Sequence, residues 1–216
     1  MERKSNYEAV RESWRKRFLA MDCEALARRF HLKLDGDFLY LTYFSHPCAI
    51  DRRTARIARL DRPGAEIGFN MEMTFFNMFH YAVENPRPSG EMVPFRSVKR
   101  AYPFESAYRS SILEPLAQLF AGRADALQAA FQRLGAEKIA HCDAGGRLDV
   151  IPGLKLDVLF WDGDDEFPAQ ANMLFDSNIT DFMHEENVVG VASDAAAFLA
   201  EAANLPAPGE IMGAEL

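Results

Sequence analysis

The run NMEMTFFNMFHYAVEN, residues 70–85, restricts the fold more than any other stretch of this chain. Met71, Phe75, Met78, Phe79 and Ala82 recur at helical spacing, and Met73, Phe76, His80 and Val83 form a second stripe beside them. A helix that is apolar around so much of its circumference must be covered on several sides. The spacing predicts a buried helix over Asn70–Asn85, with Asn70 as its N-cap and Pro86 and Pro88 ending it. His80 and Tyr81 are its polar exceptions.

The segments around it supply the cover. Tyr7, Val10, Trp14 and Phe18 predict an amphipathic helix over Asn6–Met21, and Asp22 is a candidate cap for a second over Asp22–Phe30. HLKL and FLYLTYF flank Asp35-Gly36-Asp37, a strong hairpin signal, and His46–Ile50 reads as an irregular third strand. Asp51–Gly68 reads as a connection or edge strand, and Met92–Phe95 as a short strand. Helices are expected over Ser106–Phe120, where Pro115 must kink or split the helix, over Arg123–Leu134 with Gly135 as its stop, and over Asn187–Asn204. Glu137–Cys142 reads as a strand, Gly145-Gly146 as a turn, and Arg147–Ile151 as its return.

The richest chemistry lies in Leu154–Glu186. Lys155–Trp161 suits a mostly buried strand, with Leu156, Val158 and Phe160 on one face and Asp157, Leu159 and Trp161 on the other. Asp162-Gly163 stops it, and Asp162, Asp164, Asp165 and Glu166 stand together before Phe167-Pro168. A second apolar run, Ala171–Phe175, ends in Asp176-Ser177-Asn178. The candidate ligand-binding residues are Trp161, Asp162, Asp164, Asp165, Glu166, Phe167 and Asp176, with His80 as a partner from the Met/Phe helix. Hard cations seek several oxygens and imidazole suits transition metals, so Asp164, Glu166, Asp176, Asp181 and His184 form a candidate metal set. Their spacing matches no ligand signature, and a solvated acidic turn is the plainer reading.

A net charge of −8 argues against non-specific nucleic-acid binding, which needs Lys and Arg to displace counterions. Three widely spaced cysteines, Cys23, Cys48 and Cys142, suit neither a disulfide framework nor a zinc ribbon. A charged N-terminus without an apolar segment does not read as a signal peptide, and no run reaches the length of a membrane span. A reducing, cytoplasmic location is the default expectation. Apolar residues at 49%, with 17 Phe, suffice for one sizeable aromatic core.

Three segments resemble a known family when taken together: HYAVENPRPSGEMVPFRSV (80–98), LEPLAQLF (113–120) and LDVLFWDGDDEFPAQANMLFDSN (156–178). They are similar to an uncharacterised prokaryotic family, mostly of anaerobes, named only as domain of unknown function 3786. No fold, cofactor or catalytic residue comes with that resemblance. It implies a role beside redox, iron–sulfur or corrinoid metabolism, although this chain lacks a Cys cluster of its own.

The expected architecture is α+β (mixed α/β): a single domain over residues 1–204, with a mixed or antiparallel sheet covered by several helices, and a flexible C-terminal tail over 205–216. The expected function is an accessory or binding module with its ligand site at the acidic turn 162–168, serving a protein partner or small-molecule cofactor whose identity stays unknown. A metal-dependent enzyme using the Asp/Glu/His cluster 162–186, and a homodimeric interaction protein, are the alternatives. The expected ligand pocket lies between Trp161 and the Met/Phe helix.

Overall fold

The structure is a computed structural model and describes residues 6–208. Two antiparallel sheets share one aromatic core with a set of helices, so the fold is α+β, with two sheets in place of the single one expected. The first sheet runs in the order β1 (Lys33–Leu34), β2 (Phe38–Tyr43), β3 (His46–Asp51), β4 (Ile57–Arg59). The second holds β5 (Met92–Pro94), β6 (Glu137–Lys138), β7 (Ala144–Ile151), β8 (Leu154–Trp161) and β9 (Gln170–Asp176), in the order β5-β9-β8-β7-β6. The sheets meet where Phe44 N–H donates to the Val150 carbonyl at 3.1 Å. Among the described residues no helix is long and apolar enough to cross a membrane. Residues 209–216 of the expected tail lie outside the described residues.

Helices α1 (Asn6–Leu19), α2 (Cys23–Phe30) and α3 (Phe69–Tyr81) come from the first half of the chain. Asp22 caps α2 as expected, accepting the N–H groups of Glu24 and Ala25. Every residue of α3 from Met71 to Phe79 is buried, as its doubled apolar stripe requires. Its ends differ from expectation. Gly68 stands at the N-cap, while Asn70 lies in the first turn and donates to Ser193 Oγ at 3.3 Å. The helix stops at Tyr81, not Asn85, because Val83 is bound from outside. Its N–H donates to the Asp181 carbonyl, and its own carbonyl accepts from Arg29 Nε and Nη2. These tertiary bonds outweigh the local helical preference of Ala82 to Glu84.

Glu72 is the polar group inside α3. Its carboxylate accepts from Arg11 and Arg15 of α1, while Arg11 also reaches the Ile67 carbonyl. The two guanidiniums clamp α1, which buries little besides Phe18, onto α3. Removing one partner of a buried pair leaves the other charge uncompensated. Because both arginines keep some contact with solvent, Glu72→Ala should cost about 1–2 kcal/mol, discounted from the fully buried case. A urea melt reads that loss, and an unchanged midpoint would show that the clamp contributes nothing.

Helices α4 (Glu105–Tyr108), α5 (Glu114–Phe120), α6 (Ala124–Arg133), α7 (Ile179–Phe182) and α8 (Glu185–Ala202) complete the chain. Between α4 and α5, Arg109–Leu113 forms one wide π turn in which Glu114 N–H donates to the Arg109 carbonyl. Pro115 follows directly and has no N–H to donate. The expected distortion at Pro115 is therefore a widened turn within a continuous helical path. Gly135, at φ 69°, ends α6, with Ala136 N–H returning to the Phe131 carbonyl.

Gly145 and Gly146 correct a second expectation. They lie inside β7, opposite Leu159 and Val158, and make no turn. A Cβ on Gly146 would stand 2.5 Å from the Phe131 ring, and one on Gly145 2.5 Å from Cys142 Sγ. The pair is glycine because α6 and the 139–142 loop press on the strand. The strand expected over Glu137–Cys142 correspondingly shrinks to two residues.

Candidate functional site

The acidic turn joins β8 to β9, as its sequence suggests, but it is spent locally. Asp164 Oδ1 accepts the N–H groups of Glu166 and Phe167, each at 2.8 Å, and those two bonds hold its carboxyl below the ordinary range. Asp162 Oδ1 accepts from Gly122 N–H at 2.8 Å, tying the turn to the end of α5. Asp165, Glu166 and Phe167 point into solvent.

The other candidates lie elsewhere. Asp176 sits at the far end of β9, about 20 Å along the strand from the turn. It is buried and accepts from Ser89 N–H, Ser89 Oγ, Gly90 N–H and Asn178 N–H at 2.8–2.9 Å. Burial pushes its carboxyl up, yet these donors together outweigh burial and hold it below the ordinary range. Its role is to pin the 86–92 loop. His80 is exposed on α3, with Tyr81 in edge contact at 4.6 Å, and Tyr81 in turn meets His184 at 5.3 Å. His184 caps α8 by accepting from Glu186 N–H at 3.4 Å, and the Asp181 carbonyl serves Val83. Asp164, Glu166, Asp176, Asp181 and His184 are thus not brought together. Among the described residues no three His, Cys, Asp or Glu side chains stand close enough to hold a metal ion.

What does form beside Trp161 is a cleft of about 760 Å³. It opens between the Trp161/Pro168–Asn172 end of the β8–β9 hairpin, the Pro94–Arg96 segment and the π-turn helix. This is not the pocket expected between Trp161 and α3: its second wall is Glu105–Gln118, and the acidic side chains do not line it. A Phe95–Tyr108 stack, with centroids 4.2 Å apart and planes 15° apart, packs edge-on against Phe175 and fixes that wall.

Two residues lining this cleft bury a polar atom without a well-formed hydrogen bond: Tyr108 OH, which lies close to Met173 N–H, and Glu105 Oε2. Burial, then the neighbouring Glu105 charge, push the Tyr108 phenol well above its ordinary range, so it stays a proton donor at any working pH. A buried polar atom left unpaired costs on the order of 1–3 kcal/mol, and a ligand that pairs it recovers that cost. Arg96, Arg109 and Glu114 stand around the cleft, with Gln118, Gln170 and Asn172 as neutral donors and acceptors. A π turn lining a cleft is itself a recurrent feature of functional sites.

Sequence reasoning missed Glu105, Tyr108, Arg96 and Arg109. Tyr108 reads from its spacing as one more inward-facing core residue. The one available signal was Pro115, which announces a distorted helix without saying what the distortion faces.

The profile of a family described as domain of unknown function (DUF3786) matches residues 22–197. No curated protein and no solved structure matches the chain.

Proposed function

The chain belongs to the family described as domain of unknown function (DUF3786), and from that premise we propose that it is an accessory binding module whose ligand enters the cleft beside Trp161. The observation that carries this reading is a cleft of about 760 Å³ lined by Tyr108 and Glu105, whose buried OH and Oε2 lack a well-formed hydrogen bond. One donates and the other accepts, so together they suit a group that offers an acceptor beside a donor. An amide has that form. The setting we propose is the one implied by the resemblance of the 80–98, 113–120 and 156–178 segments, a role beside redox, iron–sulfur or corrinoid proteins.

Two tryptophans make the reading testable. Trp14→Phe leaves Trp161, at the cleft, as the sole tryptophan. Titrating this variant with fractionated small-molecule and peptide extracts of the source cells should shift Trp161 emission with at least one fraction. Tyr108→Phe should weaken that response at least tenfold, the size expected when a bound polar group loses its partner. Fractions that raise thermal stability while leaving Trp161 emission and the Tyr108→Phe response unchanged would move the ligand away from this cleft.

A further inference from the structure

A second cavity, of about 720 Å³, lies where α1 and α3 meet α8. It shares no lining residue with the cleft beside Trp161. The π turn separates the two, with Arg109 and Leu113 lining the first and Ser111 and Ile112 the second. Gly190, inside α8, keeps this second space open. Glycine in a helix interior is less favourable than alanine, so its presence calls for a reason. Packing does not supply one. A Cβ there would meet Thr74 Oγ1 at 3.5 Å and Asn70 Cβ at 3.8 Å, both ordinary contacts. What the missing side chain preserves is room in the cavity, which Gly190 lines.

The lining is rich in neutral polar groups that the fold leaves unspent. Asn77 is buried on α3, where its Nδ2 donates to the Met73 carbonyl at 2.8 Å. A carbonyl can only accept, so the amide nitrogen faces it and the amide oxygen points away. That oxygen accepts no hydrogen bond among the described residues, and Asn77 lines the cavity. The Asn187 amide and the Ser111 hydroxyl line it too, likewise without a side-chain hydrogen bond among the described residues. Asn70 Nδ2 donates to Ser193 Oγ at 3.3 Å and ties α3 to α8 beside them. Trp14 and Tyr81 supply an aromatic side, and His184 is spent on the α8 cap.

We propose that this cavity binds a neutral saccharide, with the sugar ring against Trp14 and Tyr81 and its hydroxyls on Asn77, Asn187 and Ser111. Charge selects the class first. Among the described residues no Lys or Arg lines the cavity and Glu186 is its one carboxylate, so a phosphate or carboxylate would find no cation to pair it. Hydrogen bonding selects next. Each sugar hydroxyl both donates and accepts, as do the amides and hydroxyls that face it. Ring geometry separates a sugar from a nucleoside. Trp14 and Tyr81 meet at 6.1 Å and 63°, and Tyr81 and His184 at 5.3 Å and 50°. Rings already in contact at such angles offer no slot between parallel faces for a flat base, whereas the puckered C–H face of a sugar needs one ring only.

Trp161→Phe leaves Trp14 as the sole tryptophan, so emission then reports on this cavity alone. The full chain carrying that change is titrated with D-glucose, D-galactose, D-mannose, N-acetylglucosamine, maltose and cellobiose, and separately with adenosine. At least one saccharide should shift Trp14 emission saturably. In the same background Asn77→Ala should weaken that response about tenfold, the size expected for a buried acceptor lost from a bound hydroxyl. Asn187→Ala should weaken it about threefold. The Asn187 side chain has no partner in the fold, so this arm stands even if Asn77→Ala unfolds the chain.

No response to any of the six saccharides overturns the proposal, as does a response that Asn187→Ala leaves intact. A shift with adenosine and none with a saccharide overturns it in favour of a nucleoside. With Trp14→Phe, the same saccharides should leave Trp161 emission unchanged. A shift there instead would place the sugar in the first cleft and overturn this assignment, while leaving the binding-module reading standing.

Discussion

Asp194→Asn should make the protein more stable than wild type by on the order of 4 kcal/mol at pH 8, and by only about 1 kcal/mol at pH 4.5. Asp194 lies on α8, facing the core, where Tyr43 OH donates to its Oδ2 at 2.8 Å. The Thr74 hydroxyl, close to the same phenol, is buried with no well-formed hydrogen bond. Burial pushes the Asp194 carboxyl from an ordinary 3.8 up to about 7, and the Tyr43 bond only partly offsets this. The folded state therefore binds a proton that the unfolded state has released throughout the window between those values. Stability contributed by the protonated acid is fully present below about 4, falls as pH rises, and is lost above about 7. Every tenfold difference in proton affinity between the folded and unfolded states is worth about 1.36 kcal/mol, which sets the magnitude.

Asparagine has the shape of the protonated acid, keeps an acceptor for Tyr43 and never ionises. Its difference from wild type should accordingly grow with pH and level off above about 7. For a chain of this length the gap corresponds to roughly 10 °C in Tm. The contrast is cleanest between about pH 4.5 and 8. Below that window other carboxylates reverse the trend, among them Asp61, which Arg59 and, less strongly, His46 hold down at about 2. Parallel stability curves for the two proteins would mean that Asp194 is no more costly to ionise in the fold than in water.

Local signals in the sequence account for much of the fold, and the misses share one cause. Asp35-Gly36-Asp37 turns a hairpin, and Asp22 caps a helix, through groups within three residues of each other. The doubled stripe of α3 announces burial without reference to any partner. By contrast, the C-terminal end of α3 is set by Arg29 and Asp181, both remote in sequence. The cleft depends on β5 stopping at Pro94, on β9 running past it and on the π turn packing over both. None of these is periodic, so no spacing rule exposes them. The acidic turn drew the site assignment because four carboxylates are conspicuous in a string. In three dimensions its backbone and Gly122 absorb Asp162 and Asp164, and solvent takes Asp165 and Glu166.

The glycine pair in β7 shows the same dependence and yields the other large expected effect. Gly146→Ala should destabilise the chain by about 3 kcal/mol, at the upper end of the range for overpacked cores. Alanine is ordinarily the better residue in a strand interior by about 0.5–1 kcal/mol, so any loss must come from contact. The added methyl would lie 2.5 Å from Phe131 Cδ1, 2.7 Å from Cγ and 3.0 Å from Ala136 Cβ. Phe131 is fully buried on α6 and has no solvent-facing rotamer to retreat into. Ala136 is held by its Schellman bond to the Phe131 carbonyl, so neither neighbour yields cheaply. Phe131→Leu removes the obstructing ring edge, and in that background Gly146→Ala should cost less than in wild type by at least about 1 kcal/mol. A double-mutant cycle by chemical denaturation measures that coupling, and if Gly146→Ala alone fails to fold, recovery of folding in the Phe131→Leu background shows its sign. Costs that add within about 0.5 kcal/mol would place the strain elsewhere and leave the glycine without its reason.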